Sequence, residues 1–441
     1  MDEKKDKKGK KKLIVFIVIL GILLVAGGGV LTYLTSAKYV TKTVIKNMSK
    51  NVTSYIGEGT ITGLEENYKR ISTIKINLKS DYYASLATTD PNYGTLAKLF
   101  TNLSNTENKL TVVQDKENKK LLVDYDSKLA TKPLVRTKYL VENATEYYYI
   151  DGVTNNYINN GNNNYFESLN SATTSKENEI YIIEKIAESM EKNIKEEYIS
   201  ESYEEEYKKV SITLTEKDIV EFGNNILTDL KNDSKANQIM TGYNKDFAKM
   251  KITNEDVAGM DHISLHVYLD KMIGTVKKYD FEFGDFNIVY IKGEEKLVEF
   301  RQSDEIIMKL KIKTQNDKTE IAITDQEDNE MGNISITKTD TNCDVIINIE
   351  DETTSMNIGY NYQLKNLKKN KSYDSTTTMT MNIASNNTTI LEGTITIDSN
   401  VDSDTTIKED VSSSVLASSV SSSQEQLLNQ KMTTIMQQLM S

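Results

Sequence analysis

The stretch HISLHVYLD, residues His262–Asp270, decides how this chain is read. Its two histidines stand at i and i+4, the spacing that places a metal-binding pair on one face of a helix. Ile263, Leu265, Val267 and Leu269 occupy every second position, which is the alternation of a half-buried strand. A helix would scatter those four apolar residues around its circumference, so the strand reading takes precedence. In a strand the histidines lie on the polar face with backbones about 13 Å apart, too far for a shared metal. His262 and His266 are the only histidines, and no metal or catalytic role is assigned to them.

The same period continues outward from this stretch. Ile306, Met308, Leu310 and Ile312 alternate, as do Val345, Ile347 and Ile349, then Met356, Ile358, Tyr360, Tyr362 and Leu364. Met379, Met381 and Ile383 follow, and Ile395 and Ile397 close the series. Charged turns such as Lys292-Gly293-Glu294-Glu295 and Gln315-Asn316-Asp317-Lys318 separate these runs. On the N-terminal side, Ile74, Ile76 and Leu78 alternate. Residues 108–127 read as strand, charged turn, strand, and Asp151-Gly152 signals a hairpin. Between the two strand-rich stretches lie helical patterns. Ile180, Ile183, Ile186, Met190 and Ile194 form one apolar stripe, and Ile219, Phe222, Ile226 and Leu230 form another, capped by Thr215 and Asp218.

At the N-terminus, Leu13–Leu34 is an uncharged apolar run long enough to cross a bilayer as a helix. Seven lysines precede it, which orients the N-terminus to the cytoplasm and the bulk of the chain outward. Thr35-Ser36-Ala37 leaves open the alternative of a cleaved signal peptide. The predicted organisation is a basic tail (1–12), a transmembrane helix (13–34), a juxtamembrane helix (35–56) and a first β-meander (57–172). A connecting helix (173–204), a second meander with an inserted helix (205–405), and a Ser-rich linker with an amphipathic C-terminal helix (406–441) complete it.

Residues 1–12 carry +4, which leaves −16 on the remainder of a chain whose total is −12. An acidic exterior of this kind excludes nucleic acid as a partner. The single cysteine, Cys343, excludes an intrachain disulfide, and its acidic neighbour disfavours a reactive thiolate. There is no Gly-rich phosphate loop and no nucleophile–base pair, so the expectation is a non-enzymatic protein without a cofactor. Two candidate features are carried forward. Asp398, Asn400, Asp402, Asp404 and Glu409 fall at positions 1, 3, 5, 7 and 12 of a calcium loop, although Ser403 replaces the turn glycine and a strand leads in. The competing reading of these residues is a solvated acidic linker. Tyr147, Tyr148, Tyr149, Tyr157 and Tyr165 stand among asparagines, where they would either stack on sugars or fill a sheet face.

A lysine-preceded apolar helix followed by long meanders resembles membrane-anchored extracytoplasmic proteins of Gram-positive, clostridia-type bacteria. The outline over about residues 57–405 also resembles the lipoprotein-carrier (LolA/LppX-like) superfamily, in two copies, over 57–172 and 203–405. The resemblance implies an α+β fold of two curved antiparallel half-barrel sheets covered by helices. The expected partners are the membrane, through Leu13–Leu34, and an envelope protein or lipid. The expected role is binding at the cell envelope, with carriage or sensing of a lipid or other apolar ligand as the alternative.

Overall fold

The computed structural model describes Ala37, Thr62, Leu64 and residues 67–440, apart from 164, 167–175, 205, 273, 352, 387, 420 and 421. The predicted transmembrane helix Leu13–Leu34 therefore lies outside the described residues. Among the described residues no helix is long and apolar enough to cross a membrane.

The chain forms two compact units. One, the two-segment unit, joins its two long segments, 60–167 and 331–441, with the short stretch 314–320, and the other, the mid-chain unit, is built on 168–313 with 321–330. The two-segment unit opens with β1 (Asn67–Lys79), α1 (Asp81–Leu86) and α2 (Pro91–Ser104), then β2 (Thr106–Asp115), β3 (Lys120–Leu129), β4 (Lys132–Glu142), β5 (Thr145–Ile150) and β6 (Ile158–Asn162). Helix α2 begins where its sequence dictates. Asp90 caps it by accepting from the Asn92 amide, and Pro91 takes the first turn, where its missing N–H costs nothing. The β4–β5 turn is made by Asn143 and Ala144, both at positive φ, which matches the twist of a tight hairpin.

The mid-chain unit contains α3 (Lys176–Asn193), β7 (Ile199–Tyr203), β8 (Tyr207–Thr215), α4 (Glu216–Asn232), α5 (Ser234–Tyr243) and α6 (Asn254–Val257). Strands β9 (His262–Asp270), β10 (Val276–Phe283), β11 (Phe286–Ile291), β12 (Lys296–Gln302), β13 (Glu305–Gln315) and β14 (Lys318–Thr324) follow. Strands β7 to β13 pair antiparallel in chain order. Their apolar face presents Val210, Ile212, Leu265, Val267, Tyr279, Phe281, Tyr290 and Val298, and Ala187 and Met190 of α3 and Phe222 of α4 pack against it. The far side of the helices is also dry: Ile182, Ile226, Leu230, Ala236, Ile239 and Phe247 form a second cluster. Asp229 of α4 ties the two long helices together, accepting from Ser189 Oγ at 2.6 Å, Lys192 Nζ at 2.6 Å and Asn193 Nδ2 at 2.9 Å.

The two-segment unit is completed by β15 (Glu330–Lys338), β16 (Asn342–Glu350), β17 (Thr354–Lys368), β18 (Ser372–Ser385), β19 (Thr388–Asp402), the short β20 (Val415–Leu416) and α7 (Ser422–Met440). Alternation sorts its two faces cleanly. Ile334, Ile347, Ile358 and Met381 line up on one, and Asn333, Asn348, Asn357 and Asn382 on the other. Asn348 donates to Asn333, and Asn357 to Asn348. The first described strand pairs with the last long one: β1 lies antiparallel between β2 and β19, in register from Lys69 opposite Asp402 to Lys79 opposite Glu392.

The expectation of two separate half-barrel domains is thus corrected. Among the described residues twenty strands are assigned to one sheet, and the β1–β19 pairing brings the ends of the two meanders into one unit. Two boundaries also move. The helix expected to run to about Glu204 ends at Asn193, and a turn at Glu196–Tyr198 leads into β7. The segment after Asp402, expected as a linker, is partly packed onto the sheet.

Phe247 is fully buried between α4 and α5. Phe247→Ala is expected to destabilise the protein by about 3–5 kcal/mol, read as a lower midpoint in urea unfolding.

Candidate functional site

One cleft in the two-segment unit is built by a strap, residues 405–416, laid over strands. Ile407 and Val411 of the strap pack, as Tyr147 and Tyr149 of β5 do, against the cluster of Val113, Leu122, Leu140 and Tyr157. Between those two apolar anchors the strap turns Glu409 inward. Both Glu409 oxygens accept from Lys138 Nζ, at 2.7 and 2.9 Å, and Tyr157 Oη donates to Oε2 at 2.7 Å. Val415 and Leu416 then pair in parallel with Ile158 and Asn159 of β6. A two-residue parallel pairing would be marginal alone, so the apolar anchors and the Glu409 grip hold the strap in place.

Beside this grip lies a cleft of about 370 Å³. One wall is Arg136 and Lys138 of β4 with Tyr149 of β5. The rim is the loop of Asp151, Asn155, Asn156 and Tyr157, and the opposite wall is Glu409, Asp410 and Ser413 of the strap. The Asp151-Gly152 hairpin signal is realised not as a two-residue turn but as this longer loop: Gly152 takes positive φ, and Thr154 Oγ1 accepts from the Ile150 amide. Arg136 is held by Asp124 through Nε at 3.2 Å and Nη2 at 2.8 Å. That fork keeps its guanidinium firmly protonated. Burial, with the hydrogen bond to Glu409, pushes the Tyr157 phenol far up, so it stays a donor. The Tyr149 and Tyr157 rings stand 5.8 Å apart, tilted by 50°.

Of the five tyrosines singled out in the sequence, the structure brings Tyr147, Tyr149 and Tyr157 together here. Tyr148 points to the other face, against Tyr139, and Tyr165 donates to Gln114 at 3.0 Å. The calcium-loop candidates are not brought together. Asp398, Asn400 and Asp402 lie along β19, alternate residues of an extended strand, so each is about 7 Å from the next. Asp398 accepts from Thr376, Asn400 donates to Asp374, and Asp404 pairs with Lys69. Glu409, the residue at position 12, is the strap's anchor. A period-two strand cannot fold its carboxylates around one ion. Among the described residues no group of three or more histidine, cysteine or acidic side chains is arranged to hold a metal.

Sequence reasoning missed a polar cluster in the mid-chain unit. The backbones of His262 and His266 are as far apart as a strand requires, yet both rings reach Glu282 on β10: Nε2 to Oε2 is 3.6 Å for His262 and 3.2 Å for His266. His266 Nδ1 meets Ser211 Oγ of β8 at 2.8 Å. The signal lay in the strand pairing, which sets Ser211 and Asp280 on either side of His266. This is a serine–imidazole–carboxylate relay in composition, but acyl transfer also needs amides aimed at a developing oxyanion. Ser211 sits mid-strand, paired with Ser200 on one side and His266 on the other, and its neighbours' backbone groups are likewise set in the sheet ladder. The arrangement instead satisfies buried polar groups on this face of the sheet. Burial raises the Glu282 carboxyl, but hydrogen bonds and charge from His266, then His262, outweigh it and bring the group below its ordinary 4.5.

No protein-family model matches the chain. No curated protein matches it either. Among solved structures the chain is similar to a TodX monoaromatic hydrocarbon channel deltaS2 mutant, at 8% identity, covering 85% of this chain and 96% of that one, with a TM-score of 0.10. A likeness of that size carries no argument about fold or function.

Glu409→Ala is expected to free the strap and to strand Lys138, at a cost of about 1–3 kcal/mol. Hydrogen exchange should accelerate in residues 405–416 while β1–β3 keep their protection. The depressed Glu282 carboxyl contributes stability that is present above pH 4.5 and lost as pH falls through its folded value. Glu282→Gln should therefore lower the melting temperature near pH 6, with the gap to the parent protein narrowing in acid.

Proposed function

We propose that this chain is a non-enzymatic binding protein of the bacterial cell envelope, held in the cell membrane by Leu13–Leu34 with its N-terminus cytoplasmic and its bulk outside. The observation that carries the binding part is the strap-built cleft. Its walls are polar, its cations are already paired with carboxylates, and the strap that forms it is fixed by two apolar anchors and a three-group grip. A surface with those properties recognises a ligand without transforming it, because it offers hydrogen-bonding groups and aromatic faces but no activated nucleophile. What supports the membrane part is the apolar run and the lysines before it.

The alternative, a carrier of an apolar ligand, would need the apolar face of the mid-chain sheet as lining. There Ala187, Met190 and Phe222 occupy the surface that a ligand would use, so binding at the polar cleft is the better-supported reading.

The test is made on the full-length protein in a Gram-positive host. The expected result is retention in the membrane after alkaline extraction, digestion of the part beyond residue 34 by protease added to intact protoplasts, and no stoichiometric lipid in an organic extract. Release as a soluble protein beginning near Ala37 would replace the anchor with a signal peptide. A bound lipid at one per chain would move the protein to the carrier class.

A further inference from the structure

We infer that the cleft between the strap and β4–β5 is a binding site for a neutral oligosaccharide. This rests on the reading of the protein as a surface binding protein and names the ligand class for its cleft.

Four observations carry it. The first is size: about 370 Å³ falls in the range of roughly 300–1,000 Å³ typical of small-molecule sites. The second is charge. Arg136 is neutralised by the fork with Asp124, and Lys138 by both oxygens of Glu409. Asp151 and Asp410 on the lining then leave the cleft slightly negative, so it repels phosphates, sulfates and nucleic acid while suiting an uncharged ligand. The third is the match of surface types. A sugar ring has apolar C–H faces and a rim of hydroxyls. The half-buried Tyr149 supplies an aromatic face, its ring 5.8 Å from that of the buried Tyr157, and the exposed Asn155 and Asn156 and the nearby Ser413 supply neutral donors and acceptors. Amide and hydroxyl groups bond sugar hydroxyls in both directions, which a wall of like charges cannot do. The fourth is preorganisation. The strap wall is fixed before any ligand arrives, so little ordering entropy opposes binding.

The test uses the full-length protein in a detergent without sugar headgroups, titrated with chitotetraose, cellotetraose and maltotetraose by calorimetry at millimolar ligand. The expected result is saturable binding of at least one of the three, weakened about tenfold (about 1.4 kcal/mol) or more in both Tyr149→Ala and Asn156→Ala. Asn156 is away from the Glu409 grip, and circular dichroism of that variant should match the parent. Tyr149 belongs to the cluster around the strap, so for that variant hydrogen exchange in residues 405–416, as well as circular dichroism, should match the parent. Three results would each overturn the inference: no binding of any of the three, binding unchanged in both variants, or tighter binding of a sulfated oligosaccharide than of its neutral counterpart. Extraction and protease accessibility report on membrane anchoring independently, so a failure here leaves that part of the proposal standing on its own data.

Discussion

Everything in this molecule depends on strand register. In a sheet with one face committed to a core, slipping one residue would carry every apolar side chain to the wrong side. The register here is fixed on that principle. Val210, Val267 and Tyr279 meet across β8, β9 and β10 on the face that packs under α3 and α4. The intervening residues, Ser211, His266 and Asp280, are forced onto the opposite face side by side. The polar cluster around Glu282 is therefore a by-product of burying the other face. Its hydrogen bonds meet a demand that the apolar core creates, because polar groups crowded onto a sheet need partners.

The same constraint explains what could be read from the sequence. Alternation at Ile263–Leu269, Ile306–Ile312 and Met356–Leu364 identified strands that the structure contains. The stripe Ile219–Leu230 and the Thr215–Asp218 cap identified α4 with its capping box. Period and capping are local properties. Pairing partners are not: nothing near Ile74 announces that it will lie opposite Ile397. Two half-barrels therefore looked self-sufficient in sequence, where the chain instead joins its first described strand to its last long one.

The cleft was legible only in fragments. The tyrosines and asparagines of residues 145–165 were visible as a composition, and Glu409 was visible as a carboxylate. What the sequence could not convey is that a Ser-rich acidic stretch would lie down on the sheet. Ile407 and Val411, four apart, were too sparse a signal among so many polar residues, yet they are the pair that seats the strap. The calcium pattern failed for a related reason. It counts residues along the chain as though they formed a loop, whereas β19 keeps its carboxylates in a straight line through Asp402.

The β1–β19 pairing has a consequence for how the protein is made. Residues 69–79 are synthesised early, and residues 392–402, which they pair with, come more than three hundred positions later. During that interval β1 has β2 on one side and an open edge on the other, beside a growing series of strands with exposed hydrogen-bonding groups. The mid-chain unit draws most of its strands and helices from residues 168–313 and can assemble first, while the two-segment unit has to wait for residues 331–441. The interval between the two syntheses is when this protein is vulnerable, and any folding helper it needs has to cover the open edge of β1.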